Sequence, residues 1–491
     1  MNRLTNPFLL TDFYKTCHHN MYKPNMQKLF SYWTPRMSRI DGINEVVMFG
    51  LQGFIKKYLI DYFNVNFFSQ GKELSMLEYK TVIKMTMGEE YADTTHLEAL
   101  YDLGYLPIEI SAVPEGTRVP IKVPMIQITN THPDFAWLVN FLETFMSCHI
   151  WQPMTSASIA YRYREIMTEY YEKTVDDATQ VINGAGDFSL RGMSCLESGE
   201  VSGAGHLLSF NKTANLPAIL YAEQYYDADM CDFSGTAGTE HSIMSSFGKD
   251  EVACLDHLLN VYPNGALSVV CDTYDYWNYL TNILLRCRDR IINRDGKLLV
   301  RGDSGDPVKI ICGDPEADPN SPEYKGTVEV LWDIFGGYIN TKGYKVLNPH
   351  VCAIYGDSIT LERAEAIMKG LEAKGFAVSN VSLGIGSYTY QMNTRDTFGF
   401  ALKATHAIID GEETFIFKEP ITDTDNFKKS QKGMCVVFEG GNGITYVDQR
   451  YSYEMSESKE FNLLQPVFKD GKLLVKQTFD EIRERLWSNE R

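Results

Sequence analysis

The sequence predicts an α/β protein whose central part is a barrel or an open sheet of parallel strands. Short runs of β-branched and other apolar residues recur in the middle and later chain, and each run ends in Gly, Asp, Ser or Arg. Segments with apolar residues three and four positions apart lie between the runs, as in amphipathic helices. Buried strands that alternate with helices are typical of parallel sheets, whose sites lie at the carboxyl ends of the strands.

Four apolar runs define the predicted strands of this sheet. They are residues 267–271 before Asp272, 297–300 before Arg301, 351–354 before Gly356, and 381–383 before Gly384. The polar markers after the strands, at positions 272, 303, 357 and 384, are 31, 54 and 27 residues apart. One strand with its helix and loops takes about 30 residues, so these segments predict repeated βα units.

The segments between these strands complete the unit. Residues 360–374 predict a helix that ends at Gly375. The longest interval contains an excursion rich in Pro, Asp and Gly within residues 302–349, which predicts a surface loop.

The two ends of the chain differ from the middle. Within the first 150 residues the sequence predicts a helix at 50–59 and strands at 108–113 and 126–130. In the tail it predicts strands at 415–417 and 434–438 and a charged helix at 479–487. We therefore predict a flanking α/β domain built from residues 1–150 and 395–491. Residues 151–394 then form the α/β barrel domain.

Composition limits the class of protein. The 491 residues are 44% hydrophobic and 12% aromatic, which is enough to form a packed core and excludes general disorder. A net charge of −18 disfavours nucleic acids and anionic membranes as partners. No apolar stretch approaches the roughly 20 residues of a bilayer span, and we expect no signal peptide. Ten scattered cysteines without a CxxC pair favour a reducing compartment, so we expect a cytoplasmic protein.

Glycines and basic residues give the first indication of a ligand. Gly384-Ile385-Gly386-Ser387 follows a strand, where backbone N–H groups can approach a phosphate, although a tight βα turn explains it equally well. Basic residues follow at 395, 403, 418, 428, 429 and 432. Such residues usually coat a solvated surface, but beside a glycine turn in an acidic chain they favour phosphate or pyrophosphate.

Carboxylates at strand ends are the second indication. Asp272, Asp275, Asp303 and Asp357 are each candidates for a helix cap. Together with Arg301 they could hold Mg²⁺ and sugar hydroxyls, because magnesium prefers oxygen ligands that it shares with substrate phosphates.

Three further side chains carry candidate chemistry. His241 is preceded by Glu240 and is the histidine singled out from ten, although a lone histidine is more often structural. Phe188 and Arg191 pair an aromatic face with a cation, and a core phenylalanine beside a surface arginine explains them equally well. Motifs of P-loop ATPases, HExxH metalloenzymes, GxSxG hydrolases and EF-hands are absent from the sequence.

A series of short motifs, taken in order from about residue 10 to 485, resembles the nicotinamide phosphoribosyltransferase family of type II phosphoribosyltransferases. The motifs are Thr11–His18, Phe49–Gln52, Leu106–Ile110, Val113–Gly116, Asp187–Gly192, Glu240–Ser242, Gly248–Asp250, Asp272–Asp275, Arg301–Gly305, Gly356–Asp357 and Phe479–Arg483. Each motif is short, but their order and spacing make the resemblance specific.

The resemblance implies a fold and a reaction. The fold is the irregular α/β barrel of the type II phosphoribosyltransferases with a flanking α/β domain, in a head-to-tail homodimer with shared sites. The reaction joins nicotinamide to 5-phosphoribosyl 1-pyrophosphate and gives nicotinamide mononucleotide and pyrophosphate, with Mg²⁺, for NAD biosynthesis. ATP serves as a coupling substrate that phosphorylates a histidine matching His241.

The resemblance also implies roles for individual residues. The pyridine ring would stack between Phe188 and Tyr14 of the partner subunit, and Asp272 would act near the metal or His241. Phosphate and pyrophosphate would be surrounded by Arg36, Arg191, Arg301, Arg395, Lys403 and Lys428. The ribose would be held by Asp303, Gly356 and Asp357, and the 5′-phosphate by Gly384 and Gly386. The remaining expected substrate-binding residues are Asp12, Ala214, Asn215, Ser268, Ser387 and Lys418.

One departure affects the expected base. Where nicotinamide-using members carry Asp after a Thr, this chain has Ala214 after Thr213. A carboxylate there repels nicotinate, and two like charges about 4 Å apart cost roughly 4 kcal/mol at an effective dielectric constant near 20. Asn215 is a possible substitute for the amide contact. The alternatives are therefore a nicotinate phosphoribosyltransferase or a non-catalytic nucleotide-binding relative.

Overall fold

A computed structural model describes residues 5–419, 421–422 and 430–488. The chain divides into two compact units. The first comprises Met1–Ser158, Ala222–Ala228 and Thr394–Arg491, and the second comprises Ile159–Tyr221 and Asp229–Asn393.

The second unit contains a seven-stranded sheet in which all neighbouring strands are parallel. Its order is Lys212–Thr213, Ala185–Asp187, Val381–Ile385, Val351–Tyr355, Asp295–Gly302, Asn264–Val270 and Ala237–Gly238. A parallel bridge between Lys212 and Ser234 joins the first strand to the segment that leads into the last one. The sheet therefore curls into an irregular barrel, and the predicted barrel of βα units is confirmed.

The predicted strands agree with the observed ones because most of their residues are apolar. Val351–Tyr355 and Val381–Ile385 are buried at every position. The predicted helix is Leu361–Ala373, where Thr360 caps the first turn and Gly375 has a φ of +73° beyond the end. The other α-helices of the unit include Leu196–Leu207, His241–Ser245, Glu251–Val261, Arg288–Ile292, Pro307–Cys312, Pro322–Lys325, Thr327–Phe335 and Ser387–Tyr390.

The first unit contains a second seven-stranded sheet, whose neighbouring strands are all antiparallel. Its order is Glu412–Phe415, Ala401–Ile409, Met26–Thr34, Ile126–Asn130, Ile108–Ala112, Gln465–Lys469 and Lys472–Leu473. Strands from the two chain ends therefore pair directly, as Met26–Thr34 does with Ala401–Ile409. A hairpin of Met434–Gly440 and Gly443–Arg450 and a pair of Glu45–Val47 and Arg118–Pro120 accompany the sheet.

Helices cover this sheet at several places. They include Leu51–Phe54, which continues as π-helical turns, Lys72–Thr86, Thr95–Leu103, Ala136–Phe141, Ser452–Ser458 and Phe479–Trp487. The long helix Glu143–Thr174 contributes residues to both units. Within the described residues, none of the helices combines the length and apolar character needed to cross a bilayer. All ten cysteines are free.

Candidate active site

A cavity of about 840 Å³ opens in the second unit, among side chains of the barrel strands and the loops after them. Many residues expected from the sequence line it together: Phe188, Arg191, Ala214, His241, Ser268, Arg301, Asp303, Gly356, Asp357, Gly386 and Ser387. They come from all seven strands of the sheet or from the loops that follow them, which explains why residues far apart in sequence converge. This cavity combines cations, carboxylates and an aromatic ring.

The aromatic floor of the cavity is Phe188. Its ring packs against a buried cluster of Leu299, Cys352 and Ile354. A Cβ atom on Gly384 would lie 2.5 Å from Phe188 Cδ2 and 2.8 Å from Gly356 Cα. Gly384 therefore does not line the cavity but leaves the space in which the ring lies.

His241 stands at the rim and is exposed to solvent. Its Nδ1 lies 3.1 Å from the Thr273 hydroxyl, and its Nε2 lies 3.9 Å from Asp272 Oδ1. Asp272 is not part of the cavity wall; its side chain is only 5% exposed. Its other oxygen accepts hydrogen bonds from the backbone N–H of Asp303, at 3.0 Å, and the Ser304 hydroxyl, at 2.6 Å. Asp272 thus links the histidine to the loop that carries Asp303.

Arg301 and Asp303 form an ion pair in the cavity wall. Arg301 Nε lies 3.3 Å from Asp303 Oδ2, and Arg301 Nη2 donates to the Thr239 carbonyl at 2.9 Å. Burial raises the pKa of Asp303 above its ordinary value, against the opposing effect of Arg301. Asp357 also faces the cavity and accepts a hydrogen bond from Ser358. By contrast, Asp275 accepts from the Asn278 N–H and caps a helix.

The neighbouring residues Ala214 and Asn215 have different surroundings in the structure. Ala214 lines the cavity, whereas Asn215 is fully buried and its side-chain nitrogen donates to Asp187 Oδ2 at 3.0 Å and to the Gly199 carbonyl at 2.8 Å. Asn215 Oδ1 accepts from the Ala218 N–H. The amide group is occupied by these internal bonds, so it does not take the place of the missing Asp in the cavity.

Several lining residues were missed by the sequence reasoning. They include Lys212, Thr213, Ser234, Thr236, Thr239 and Ser382. Lys212 belongs to a strand of only two residues, which leaves no recognisable pattern in the sequence. Burial lowers the pKa of Lys212, and the nearby charge of Lys297 lowers it as well.

Comparison with known proteins agrees with this geometry. The sequence profile of the nicotinate phosphoribosyltransferase (NAPRTase) family matches residues 185–472, and that of the nicotinamide phosphoribosyltransferase N-terminal domain matches residues 6–110. A nicotinamide phosphoribosyltransferase of Acinetobacter baylyi is 44% identical, over 98% of this chain and 97% of the relative. One of Xanthomonas campestris pv. campestris is 30% identical over 98% of each chain. The chain belongs to the nicotinamide phosphoribosyltransferase family.

Solved structures of related proteins confirm the fold of this nicotinamide phosphoribosyltransferase family member. A nicotinate-nucleotide pyrophosphorylase from Pyrococcus furiosus has a TM-score of 0.58 at 17% identity, covering 98% of this chain and 94% of its own. Human nicotinic acid phosphoribosyltransferase has a TM-score of 0.58 at 15% identity, covering 97% and 92%. The predicted type II phosphoribosyltransferase fold is therefore confirmed.

A smaller cavity of about 190 Å³ lies in the first unit of this family member. It brings together Asp12, Tyr14 and Arg395, which were expected at the substrate. Asp12 Oδ2 accepts from Thr144 Oγ1 at 2.6 Å and from the Tyr14 hydroxyl at 3.3 Å. The Tyr14 side chain is 59% exposed.

Some of the other basic residues expected at the substrate already contact groups of the protein itself. Arg36 Nε donates to the Gly399 carbonyl at 2.7 Å, and burial together with the nearby charge of Arg395 lowers the pKa of Arg36. Lys403 lies 3.5 Å from Glu143, which lines the smaller cavity. Lys418 is exposed, and its backbone N–H donates to the Ser430 hydroxyl. Lys428 lies outside the described residues.

Proposed function

We propose that the protein transfers the 5-phosphoribosyl group from phosphoribosyl pyrophosphate to nicotinamide, giving nicotinamide mononucleotide and pyrophosphate in NAD salvage. The observation that carries the proposal is that one cavity combines a flat aromatic floor with arginines and carboxylates. Similarity over nearly the full length to proteins named nicotinamide phosphoribosyltransferase supports the choice of base.

The chemistry of the transfer suits these side chains. As the bond between C1 of the ribose and the pyrophosphate breaks, the ribosyl centre becomes cationic and negative charge collects on the leaving group. Arg191 and Arg301 are placed in advance where that negative charge develops, which lowers the barrier. N1 of nicotinamide then attacks C1, and because this nitrogen carries no proton, no base catalyst is needed.

Binding of the two substrates follows from the cavity wall. Asp303 and Asp357 accept hydrogen bonds from ribose hydroxyls, and the loop at Gly386 and Ser387 meets the 5′-phosphate. The pyridine ring lies on Phe188 and faces Ser268, whose buried hydroxyl has no hydrogen-bond partner in the protein and is available to the amide. Orientation of a weak nucleophile near C1 supplies much of the acceleration.

The donor set also suits Mg²⁺. Asp303 and Asp357 offer carboxylate oxygens to the cavity, and the buried Asp272 Oδ1 has no hydrogen-bond partner. These oxygens would hold the ion together with substrate phosphates, where it would neutralise the charge of the leaving pyrophosphate.

We also infer that ATP phosphorylates His241. The exposed imidazole can receive the terminal phosphoryl group: the bond between the γ-phosphorus and the bridging oxygen breaks, a nitrogen–phosphorus bond forms, and ADP leaves. Asp272, 3.9 Å from Nε2, supports the positive charge of the ring.

The exposed aromatic residues of the first unit support a homodimer with shared sites. Phe13 and Tyr14 are each 59% exposed, which is unusual for neighbouring large aromatic side chains of a monomer. In the proposed dimer, Tyr14 of the partner subunit covers the pyridine ring that lies on Phe188. Ten free cysteines suit a reducing compartment, so we assign the enzyme to the cytoplasm.

A second candidate function, nicotinate phosphoribosyl transfer, is favoured by one observation. Lys212 lines the cavity in which the expected Asp is replaced by Ala214. A cation without a neighbouring carboxylate attracts the carboxylate of nicotinate more strongly than a neutral amide.

The deciding experiment offers the purified protein both bases separately, with phosphoribosyl pyrophosphate and Mg²⁺, and measures pyrophosphate release. We expect a higher kcat/KM for nicotinamide. Turnover of nicotinate alone would instead establish the second function, and Lys212→Met should then reduce it by about 10- to 100-fold. Lys369→Met, which replaces an exposed lysine on the helix Leu361–Ala373 outside the cavity, is the matched control. If neither base led to release of pyrophosphate, the protein would be a non-catalytic relative.

A further inference from the structure

We propose a divalent transition-metal site, best suited to Zn²⁺, at His19, Asp93 and His96 in the first unit. One ligand atom from each residue lies within 4.8 Å of the others. None of the three lines either cavity described above. The site is therefore separate from the proposed transfer reaction.

His19 presents a bare nitrogen to this site. It lies near the end of the 3₁₀ helix Phe13–Asn20, and its Nδ1 is 3.0 Å from the Thr16 carbonyl. A carbonyl oxygen only accepts, so Nδ1 must carry the proton and the Nε2 of the neutral ring must carry a lone pair. That Nε2 is buried and has no hydrogen-bond partner.

His96 presents the second unpaired nitrogen. It is the second residue of the helix Thr95–Leu103, and its ring packs edge-on against Trp137 with centroids 5.0 Å apart. Its Nδ1 is buried without a partner. The rings of His19 and His96 are stacked, with centroids 3.7 Å apart and planes 13° from parallel. Two buried, unsatisfied nitrogens side by side are costly unless something binds them.

Asp93 completes the set with an oxygen. Its Oδ1 accepts from the Thr95 hydroxyl at 2.7 Å and from the Thr95 N–H at 3.2 Å. These bonds orient the carboxylate and leave Oδ2 available. Because Asp93 is exposed, an ion can enter from solvent without opening the fold.

The donor set determines the kind of ion. Two imidazole nitrogens with one carboxylate oxygen suit Zn²⁺ and the neighbouring transition metals rather than Mg²⁺ or Ca²⁺. Ligand atoms around tetrahedral zinc lie about 3.4 Å apart, given bonds of about 2.0–2.1 Å. Because a zinc–nitrogen bond lies in the plane of its imidazole, binding requires the two rings to turn out of their parallel stacking, and water would fill the fourth position. The hydrogen bonds from His19 to Thr16 and from Thr95 to Asp93 are the outer contacts that such ligands usually make.

Metal binding would join two segments of the first unit. The 3₁₀ helix that carries His19 also carries Tyr14, and the other two ligands begin the helix Thr95–Leu103. A bound ion would therefore restrain the exposed segment around Tyr14. It would also stabilise the folded state by mass action.

The test measures zinc itself and does not depend on enzyme activity. The full chain is freed of metal with a chelator, loaded with Zn²⁺ or Co²⁺ and dialysed; bound metal is counted by mass spectrometry, and Co²⁺ geometry is read from visible absorption. All variants carry His241→Gln, so that metal at His241 and Asp272 does not contribute. We expect one zinc per chain, a tetrahedral Co²⁺ spectrum and a higher melting temperature with zinc.

Asp93→Asn is the main variant because an exposed carboxylate can be replaced without disturbing the core. We expect it to weaken zinc binding at least about tenfold, because even the loss of a hydrogen bond to a metal ligand lowers metal affinity by about that factor. His96→Gln should abolish binding, with circular dichroism as the check on folding. His132→Gln is the matched control, because His132 lies 3.9 Å from Asp134 in another His–Asp pair. Equal zinc content in Asp93→Asn and in the control, or no retained zinc in any of them, would overturn the proposal.

Discussion

The position of the Phe188 ring depends on the absence of a Cβ atom at Gly384. The ring occupies space that a Cβ on Gly384 would enter, and Gly356 Cα, a backbone atom, blocks the other side. Gly384→Ala should therefore tilt the ring and raise KM for the base. A misplacement of about 1 Å can cost up to about a hundredfold in rate, so we expect kcat/KM to fall by about 10- to 100-fold.

Steady-state kinetics with varied base concentration measure this effect. Gly441→Ala is the matched control, because a Cβ there meets no atom within 4 Å. If Gly384→Ala retained the KM of the unsubstituted enzyme, Phe188 would not be the surface on which the base lies.

Asp272 offers a second test on one side chain. Asp272→Asn keeps an oxygen that can accept from the Asp303 N–H and the Ser304 hydroxyl, but it removes the charge near His241. We expect basal transfer to persist, whereas the stimulation by ATP should fall at least about tenfold, because opposite charges about 4 Å apart interact by roughly 4 kcal/mol near a protein surface. Acid-labile ³²P on the protein reports the phosphohistidine directly. His241→Gln should remove both signals, and an unchanged ATP response in that variant would refute the phosphohistidine.

The sequence distinguished site residues from caps only in part. Asp303 and Asp275 both follow strands, yet one faces the cavity and the other caps a helix, because the deciding factor is the direction of the side chain in the folded barrel. Lys212 gave no signal, since neither charge nor a two-residue strand marks a cavity wall. His19 and His96 stand 77 residues apart in the chain, and only tertiary folding stacks their rings.

Strands and helices could be predicted where the residues of the segment itself determine its secondary structure. Val351–Tyr355 is apolar throughout and buried on both faces, and Phe479–Trp487 begins with a capping box from Thr478 to Glu481. The strands Lys212–Thr213 and Ala237–Gly238 were not predictable, because each has two residues and exists only through pairing with a neighbour. The pairing of Met26–Thr34 with Ala401–Ile409 likewise depends on contacts between distant segments.

The helix that begins at Leu51 depends on a buried carboxylate. Glu115 is only 2% exposed, and its two oxygens accept from the N–H groups of Gly50, at 2.9 Å, and Gln52, at 2.6 Å. Burial raises the pKa of Glu115 from 4.5 to about 7, in spite of these donors. The folded state therefore binds the proton more tightly than the unfolded state, and stability falls as pH rises from about 4.5 to about 7.

Glu115→Gln should remove this pH dependence. Relative to the variant, the unsubstituted protein should lose about 3 kcal/mol of unfolding free energy between pH 4.5 and 7.5. Urea unfolding at a series of pH values measures the difference, and Glu90→Gln, which replaces an exposed carboxylate, provides the control. A constant difference between unsubstituted protein and Glu115→Gln across this range would show that folding does not raise the pKa of Glu115.

At the scale of the complete chain, the residues expected at the substrate are divided between the two units. The larger cavity holds Phe188, Arg191 and Asp303, whereas Asp12, Tyr14 and Arg395 gather in the other unit. In a head-to-tail dimer, each site would combine the larger cavity of one subunit with the Tyr14 segment of its partner. Complementation between inactive chains tests this arrangement.

Tyr14→Ala and Arg191→Ala should each be nearly inactive as homodimers. In a mixed dimer both substitutions fall on the same one of the two sites, so the other site is intact; random pairing of equal amounts should restore about a quarter of the full activity. Mixing Phe188→Ala with Arg191→Ala should restore none, because each cavity then carries one defect. Heterodimers of the first mixture, isolated with two affinity tags, should then show about half of the full activity, because one of their two sites is intact. Absence of recovery in the first mixture would mean that each site is built from one chain. Recovery in the second mixture would mean that Phe188 and Arg191 of one site come from different subunits.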